Sequence, residues 1–151
     1  MSGILIYSEK EAKRNIFAIN KFKENLDIKL VDENYDGKAD FVINRTNNYI
    51  IAQKFEQKGI RVFNPSSLSM LANNKQLCYE FMYKNGIEIL PINYSEITAV
   101  KKPIDGHGGQ NVTMINKKEK FEPGFVYQKP CATLGKDLRV WARGGKIIAA
   151  I

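Results

Sequence analysis

With 151 residues, 44% hydrophobic and 26% charged, the chain has the make-up of globular material, enough for one sizeable core or two small layered units, and excludes a disordered protein. No apolar run approaches the ~20 residues that span a bilayer, and residues 1–7 lack the basic leader and the length of a signal peptide, so a cytoplasmic protein is expected. The net charge of +7 suits an anionic partner, but the lysines scatter over helical faces (Lys10, Lys13, Lys21, Lys23, Lys54, Lys58) and a turn (Lys117, Lys118, Lys120), which disfavours nucleic acid.

Residues 3–7 form a short apolar run, and Ser8 followed three residues later by Glu11 is a capping box that opens a helix. Ile16, Phe17, Ile19 and Phe22 then supply a stripe at helical spacing, expected to be buried. A second strand is predicted at 28–31, a turn at 35–38 and a third strand at 41–43. Asn47 is placed to cap a helix carrying Ile50, Ile51 and Phe55, which Gly59 ends before a fourth strand at 61–63. Short strands alternating with helices imply a small parallel sheet with right-handed crossovers, and ligands gather beyond the C-terminal ends of such strands. Ser8, Asn44, Arg45, Thr46 and Asn64 all fall there. Arg45 is the strongest candidate, since a cation at a strand end suits a carboxylate or phosphate.

Asn64-Pro65-Ser66 marks a boundary. Residues 66–85 read as helical, with Leu68, Leu71, Leu77, Phe81 and Met82 as packing residues, a cap or break at Asn73-Asn74, and Gly86 as the stop. Lys75 then opens a helix against the preference of the helix dipole, which points to an anionic ligand. Beyond Gly86 the pattern changes to strands at 98–102, 112–115 and 125–128, and a hairpin of 138–141 with 146–150 across Gly144-Gly145. The cysteines, Cys78 and Cys131, have no metal spacing, and His107 is the only histidine. Free thiols are expected, with neither a zinc site nor a Cys-His nucleophile.

Between two of these strands lies a glycine-rich loop, Gly106, Gly108 and Gly109, following Lys101-Lys102-Pro103. Glycines let backbone approach a ligand closely and adopt positive φ, and lysine heads beside them suit phosphate. A Walker loop would end in Gly-Lys-Ser/Thr, and a dinucleotide loop would open a helix with G-x-G-x-x-G. Here Asn111 takes the third glycine position and an apolar strand follows. His107 is expected at the loop tip, near a ligand rather than as a catalytic base.

Residues 102–109 resemble the phosphate-covering hairpin of the ATP-grasp ligases, Lys-Pro-Leu-Asp-Gly-x-Gly-Gly, and the order of motifs along most of the chain resembles the RimK-like amino-acid (α-L-glutamate) ligases, with a glutathione-synthetase-like Gly-rich loop. The further matches are Asn44-Arg45-Thr46, Asn74-Lys75, Asn85-Gly86-Ile87, Val126-Tyr127-Gln128-Lys129-Pro130 and Asp137-Leu138-Arg139. The resemblance implies an α/β chain: a small parallel-sheet pre-ATP-grasp domain over 1–65, then the N-terminal portion of an α+β ATP-grasp domain over 66–151, with a lid hairpin at about 98–130 and an incomplete C-terminal part.

It also implies roles. Lys75 and Lys102 would contact ATP phosphates, and Gly106, His107, Gly108 and Gly109 would close over them. Gln128, Lys129 and Pro130 would form the hinge that recognises adenine, Asp137 would face the nucleotide, and Arg139 would hold the transferring phosphate or acyl intermediate. The implied reaction joins a carboxylate to an amine through an acyl phosphate, using ATP and Mg²⁺, with Arg45 binding an amino-acid or peptide acceptor. The family's metal ligands, an acidic pair and an Asn, would lie beyond Ile151, so a truncated chain, inactive alone, is expected. Lys129 stands where Glu is usual, Asn111 where Gly is frequent, and Asn73-Asn74 where an acidic residue precedes the lysine. A non-catalytic nucleotide-binding module lacking the metal site is the alternative, and a homo-oligomer is left open.

Overall fold

The computed structural model describes residues 2–94, 98–117, 120–133 and 138–151. Its first half is built on four parallel strands, β1 (Gly3–Ile6), β2 (Ile28–Val31), β3 (Phe41–Asn44) and β4 (Arg61–Phe63), in the order β2-β1-β3-β4. The central strand β1 is apolar throughout and wholly buried, as a parallel strand covered on both faces must be. Register pairs Leu5 with Leu30 and Ile43, and Ile4 with Val42, so alternate residues feed two cores. Leu5 and Tyr7 pack with Ile19 on one face. Ile4, Ile6, Val42 and Val62 pack with Ile51, Ala52 and Phe55 on the other.

The helices follow their punctuation, with corrections. Ser8 accepts from the Glu11 N–H and opens α1 (Glu9–Arg14) as expected. Asn15 then ends α1 and begins α2 (Ile16–Asn25), where one helix was expected. Its side chain donates to the Glu11 carbonyl at 2.8 Å, a local bond that competes with helix continuation. Of the expected stripe Ile19 is buried and Phe22 packs beside it, but Ile16 and Phe17 are exposed. The cap of α3 (Tyr49–Gln57) is Asn48 rather than Asn47: Asn48 has extended backbone and its side chain accepts from the Ile50 N–H. Ile50 is exposed, whereas Ile51 and Phe55 are buried. Gly59 ends α3 at φ 75°, with Gly59 N–H to the Glu56 carbonyl and Ile60 N–H to the Phe55 carbonyl, a Schellman closure.

Two helices occupy the expected 66–85 stretch, α4 (Ser66–Ala72) and α5 (Lys75–Lys84), with Asn74 capping α5 by accepting from the Leu77 N–H. The Glu56 carboxylate accepts from both the N–H and the hydroxyl of Ser66 and so joins α4 to α3. Leu68, Leu77 and Phe81, expected to pack, are exposed. Helical spacing shows which residues share a face, not whether a neighbour covers it.

An antiparallel sheet follows, order β6-β5-β7, from β5 (Ala99–Pro103), β6 (Thr113–Ile115) and β7 (Phe125–Gln128). Ala99, Val126 and Tyr127 are its buried apolar residues, and Phe121 lies 4.8 Å from the Tyr127 ring. The last hairpin, β8 (Val140–Arg143) and β9 (Lys146–Ala150), turns through Gly144 and Gly145, both at positive φ, and every residue of its strands is exposed. Among the described residues no helix is long and apolar enough to cross a membrane.

Candidate functional site

Strand alternation separates the two lysines that end β5. Lys101 pairs with Tyr127 and Lys102 with Val126, so their side chains take opposite faces of the sheet. Lys101 does not join the glycine loop, contrary to expectation. Its ammonium bonds Glu122 at 2.6 Å and lies over the Phe125 and Tyr127 rings, and the Glu122 bond raises its pKa. Lys102 takes the other face, where Gln128 is its diagonal neighbour on β7. Its Nζ donates to the Gln128 Oε1 at 2.7 Å, and the Gln128 Nε2 donates to the Leu90 carbonyl at 3.1 Å. Gln128, read from the sequence as hinge backbone, is therefore also a buried side chain that seats a cation.

Lys75 reaches the same place from the start of α5. Its N–H donates to the Ile104 carbonyl at 2.9 Å, and its Nζ donates to the Gly106 carbonyl. Burial, and then the nearness of Lys75, push the Lys102 ammonium below the ordinary lysine pKa. Two cations thus converge beside the loop with only neutral oxygen partners. Among the described residues neither makes an ion pair.

The loop is shaped by the glycines that the sequence singled out. A Cβ on Gly106 would come within 3.1 Å of the Pro103 ring, so backbone turns tightly against Pro103. Gly108 and Gly109 adopt φ of 61° and 73°. Asn111 holds φ 56°, the left-handed conformation that Asn tolerates better than most residues, which explains how it stands where glycine is frequent. Among the described residues the N–H groups of His107, Gly108 and Gly109 have no backbone acceptor.

At the hinge, the Lys129 N–H donates to the Pro91 carbonyl at 2.9 Å, and Pro130 has no N–H. Arg139 exchanges backbone bonds with Ile151 at the open end of the last hairpin. Asp137 lies outside the described residues.

Arg45 occupies the rim of the parallel sheet. Its N–H donates to the Ile6 carbonyl at 3.0 Å, and its Nε donates to the Tyr7 hydroxyl at 3.3 Å. It lines a cleft of about 600 Å³ whose far wall is the loop, through His107, Gly108 and Gln110. Asn44, Thr46 and Ser8 serve the backbone: Asn44 is buried and accepts from the N–H and hydroxyl of Thr46, and Ser8 caps α1. Glu33, just past β2, also lines this cleft. It carries no motif, and its only signal is its place one residue beyond the strand-end position. Among the described residues no group of three His, Cys, Asp or Glu is placed to hold a metal ion.

No family model matches the chain, and no curated protein matches it. Solved structures do. A RimK-domain ATP-grasp protein from Sphaerobacter thermophilus superposes with a TM-score of 0.73 at 10% identity, over 99% of this chain and 72% of that one. The chain has the ATP-grasp fold. D-alanine-D-alanine ligase from Helicobacter pylori matches with a TM-score of 0.61 at 15% identity, over 91% of this chain and 68% of the ligase. N5-carboxyaminoimidazole ribonucleotide synthetase from Thermotoga maritima matches at 0.57 and 14%, over 85% of this chain but only 46% of the synthetase. The chain thus spans about half the length of that enzyme. At these identities the likeness is one of fold, and the ATP-grasp fold agrees with the α/β organisation read from the sequence.

Proposed function

We propose that this chain binds ATP beneath its glycine-rich loop and belongs to an ATP-dependent carboxylate-amine ligase. The convergence of Lys75 and Lys102 carries the reading. Two ammonium groups held close enough to repel, one of them half-buried, have a carbonyl and an amide oxygen as partners and no carboxylate among the described residues to balance them. A triphosphate supplies the negative charge. The N–H groups at 107–109, without a backbone acceptor among the described residues, add donors of the kind that stabilise charge building on a transferring phosphoryl group.

In the proposed reaction a substrate carboxylate oxygen attacks the γ-phosphorus of ATP, forming an acyl phosphate and releasing ADP. An amine nitrogen then attacks the acyl carbon, phosphate leaves, and the nitrogen loses a proton as the amide forms. Lys75 and Lys102 would hold the phosphates, residues 106–109 would cover them and exclude water, and Gln128 to Pro130 would flank the base. Arg139 and Asp137 are assigned on resemblance, to the transferring group and the nucleotide. Mg²⁺ belongs to this chemistry in the fold family, but the described residues offer no ligand set for it.

The test is calorimetric titration of ATP and ADP into the chain and its Lys102→Met variant. Binding is expected to weaken by about 3 kcal/mol, the scale of one preorganised electrostatic donor. Equal affinities in the two proteins would remove Lys102 from the phosphate site.

A further inference from the structure

The parallel sheet is not covered evenly. Register sets Phe41 beside Arg61 and Ile43 beside Phe63, so these four side chains share one face of β3 and β4. On that face α2 packs through Ile19 over Leu5 and Tyr7, while α3 lies on the other face, against Val42 and Val62. Phe63 and Leu26 are left 42% and 40% exposed. Parallel strands are ordinarily roofed on both faces. Here a groove of about 680 Å³ lies between the end of α2 and the edge strand β4 instead, with Phe22, Leu26, Phe41, Ile43 and Phe63 along it.

The groove has both a shaped floor and a charge. A Cβ on Gly3 would collide with the Phe41 ring, so the glycine in the neighbouring strand lets that ring lie down over β1 rather than stand in the groove. Arg45, Arg61 and Asp40 also line it. Asp40 accepts from the Ser2 N–H at 2.7 Å, and the Arg61 guanidinium lies 4.9 Å from the centre of the Phe63 ring. Among the described residues none of the three makes an ion pair. Two arginines against one aspartate leave a single positive charge in an otherwise apolar lining.

We infer that this groove binds an apolar monocarboxylate, its hydrocarbon or aryl body on Phe41, Phe63 and Leu26 and its carboxylate on the Arg61 guanidinium. The volume falls within the roughly 300–1,000 Å³ of small-molecule sites, which are mostly apolar with a few placed polar groups. A planar guanidinium backed by a phenyl ring keeps its N–H edge for a carboxylate, which it can hold through two parallel bonds. A monoanion balances the net charge of the lining. A cation would meet two arginines, and a neutral apolar molecule would fill the space but leave the guanidinium groups without a counter-charge. The groove shares only Arg45 with the cleft beneath the glycine-rich loop, and the inference does not rest on the ligase reading.

The experiment is NMR titration of the chain, without nucleotide, using octanoate, octanol, octylammonium and acetate. Octanoate is expected to bind about 10- to 100-fold more tightly than octanol, the effect of one hydrogen bond to a charged group, with shifts at Phe41 and Phe63. It should exceed octylammonium and acetate by at least as much, since the first reverses the charge and the second lacks the apolar body. Arg61→Gln, at an exposed position, should bring octanoate down to the affinity of octanol and leave octanol unchanged. Phe63→Ala should weaken both. The inference is overturned if octanol or octylammonium binds as well as octanoate, which would make the groove a plain apolar surface. It is equally overturned if Arg61→Gln leaves the preference intact, or if octanoate gives no saturable shift at Phe41 and Phe63. With no nucleotide in the sample, a failure of the ATP reading leaves each of these outcomes decisive.

Discussion

The two halves of the chain place their apolar residues differently. Among the described residues, all the buried apolar side chains but Ala99, Val126 and Tyr127 lie between Ile4 and Val62, where helices lie on both faces of a parallel sheet. In the second half Phe81, Trp141, Ile147 and Ile148 are 48%, 45%, 71% and 65% exposed, and the sheet that carries Lys102 is three strands with a thin core. The first half is held by burial. The second is held by register, turns and polar bonds such as Lys102 to Gln128 and Lys75 to the loop. Elements that close over ligands come from the low-stability end of a structure, and the candidate phosphate site sits there.

The largest effect separating the halves should come from truncating one large side chain in each. Phe55 is 1% exposed, and Phe55→Ala is expected to cost about 3–5 kcal/mol in urea denaturation. Ile147→Ala should cost about 1 kcal/mol or less, because Ile147, in the last hairpin, is 71% exposed and buries little surface. Equal losses would show that the last hairpin contributes to the cooperative unit as much as the parallel-sheet core does.

Glycine substitutions should sharpen the same contrast. Gly59 at φ 75° and Gly109 at φ 73° both face open space, so Ala at either meets no clash and bears only the left-handed backbone cost of roughly 1–2 kcal/mol. For Gly59→Ala that cost should appear in global stability, because Gly59 closes the helix that buries Phe55. For Gly109→Ala it should appear as weaker ATP binding with an unchanged urea midpoint. A shifted midpoint for Gly109→Ala would mean that the loop folds with the core.

The same division governs what the sequence could show. In the first half, strand limits coincide with apolar runs, and Ser8, Gly59 and Pro65 punctuate them as their side chains require. The helix break at Asn15 and the choice of Asn48 over Asn47 as a cap are set by local bonds, Asn15 Nδ2 to the Glu11 carbonyl and the Ile50 N–H to Asn48 Oδ1, that no spacing encodes. In the second half residues 102–109 are legible as a motif, but nothing in the sequence separates Lys101 from Lys102, because faces are assigned only once β7 pairs with β5. Gln128 as a partner of Lys102, Lys75 as a clasp on Gly106 and Glu33 as a cleft residue all depend on long-range pairing, which a linear pattern leaves open.

A pH dependence should follow from the clasped cations. Burial and Lys75 hold the folded pKa of Lys102 below the ordinary 10.5. In the window between that lowered value and 10.5 the unfolded chain binds more protons, so stability rises with pH there and levels off above it. Lys101 acts oppositely, since its pKa is raised by Glu122; its contribution is complete below 10.5 and is lost as pH rises through the higher folded value. Comparing the chain with Lys102→Met cancels the Lys101 contribution. The parent should gain stability relative to the variant as pH climbs toward 10.5, and a constant difference would show that Lys102 is as solvated folded as unfolded.

The smallest expected effect lies at Asn111, and it tests whether the loop needs glycine or only a left-handed backbone. Asn111 already holds φ 56°, a conformation that Asn reaches at modest cost and β-branched residues reach only with strain. Asn111→Gly should therefore change ATP affinity by only a few tenths of a kcal/mol, the gain in backbone fit being offset by the added freedom of the unbound loop. Asn111→Val should weaken binding by more than Asn111→Gly changes it in either direction, because the backbone would leave the left-handed region and carry residues 108–110 with it. Should Gly tighten binding tenfold, the departure from the glycine pattern at this position would be a real defect in the phosphate cover, and the loop's geometry would have to be reassigned from a formed cradle to one that ATP itself must shape.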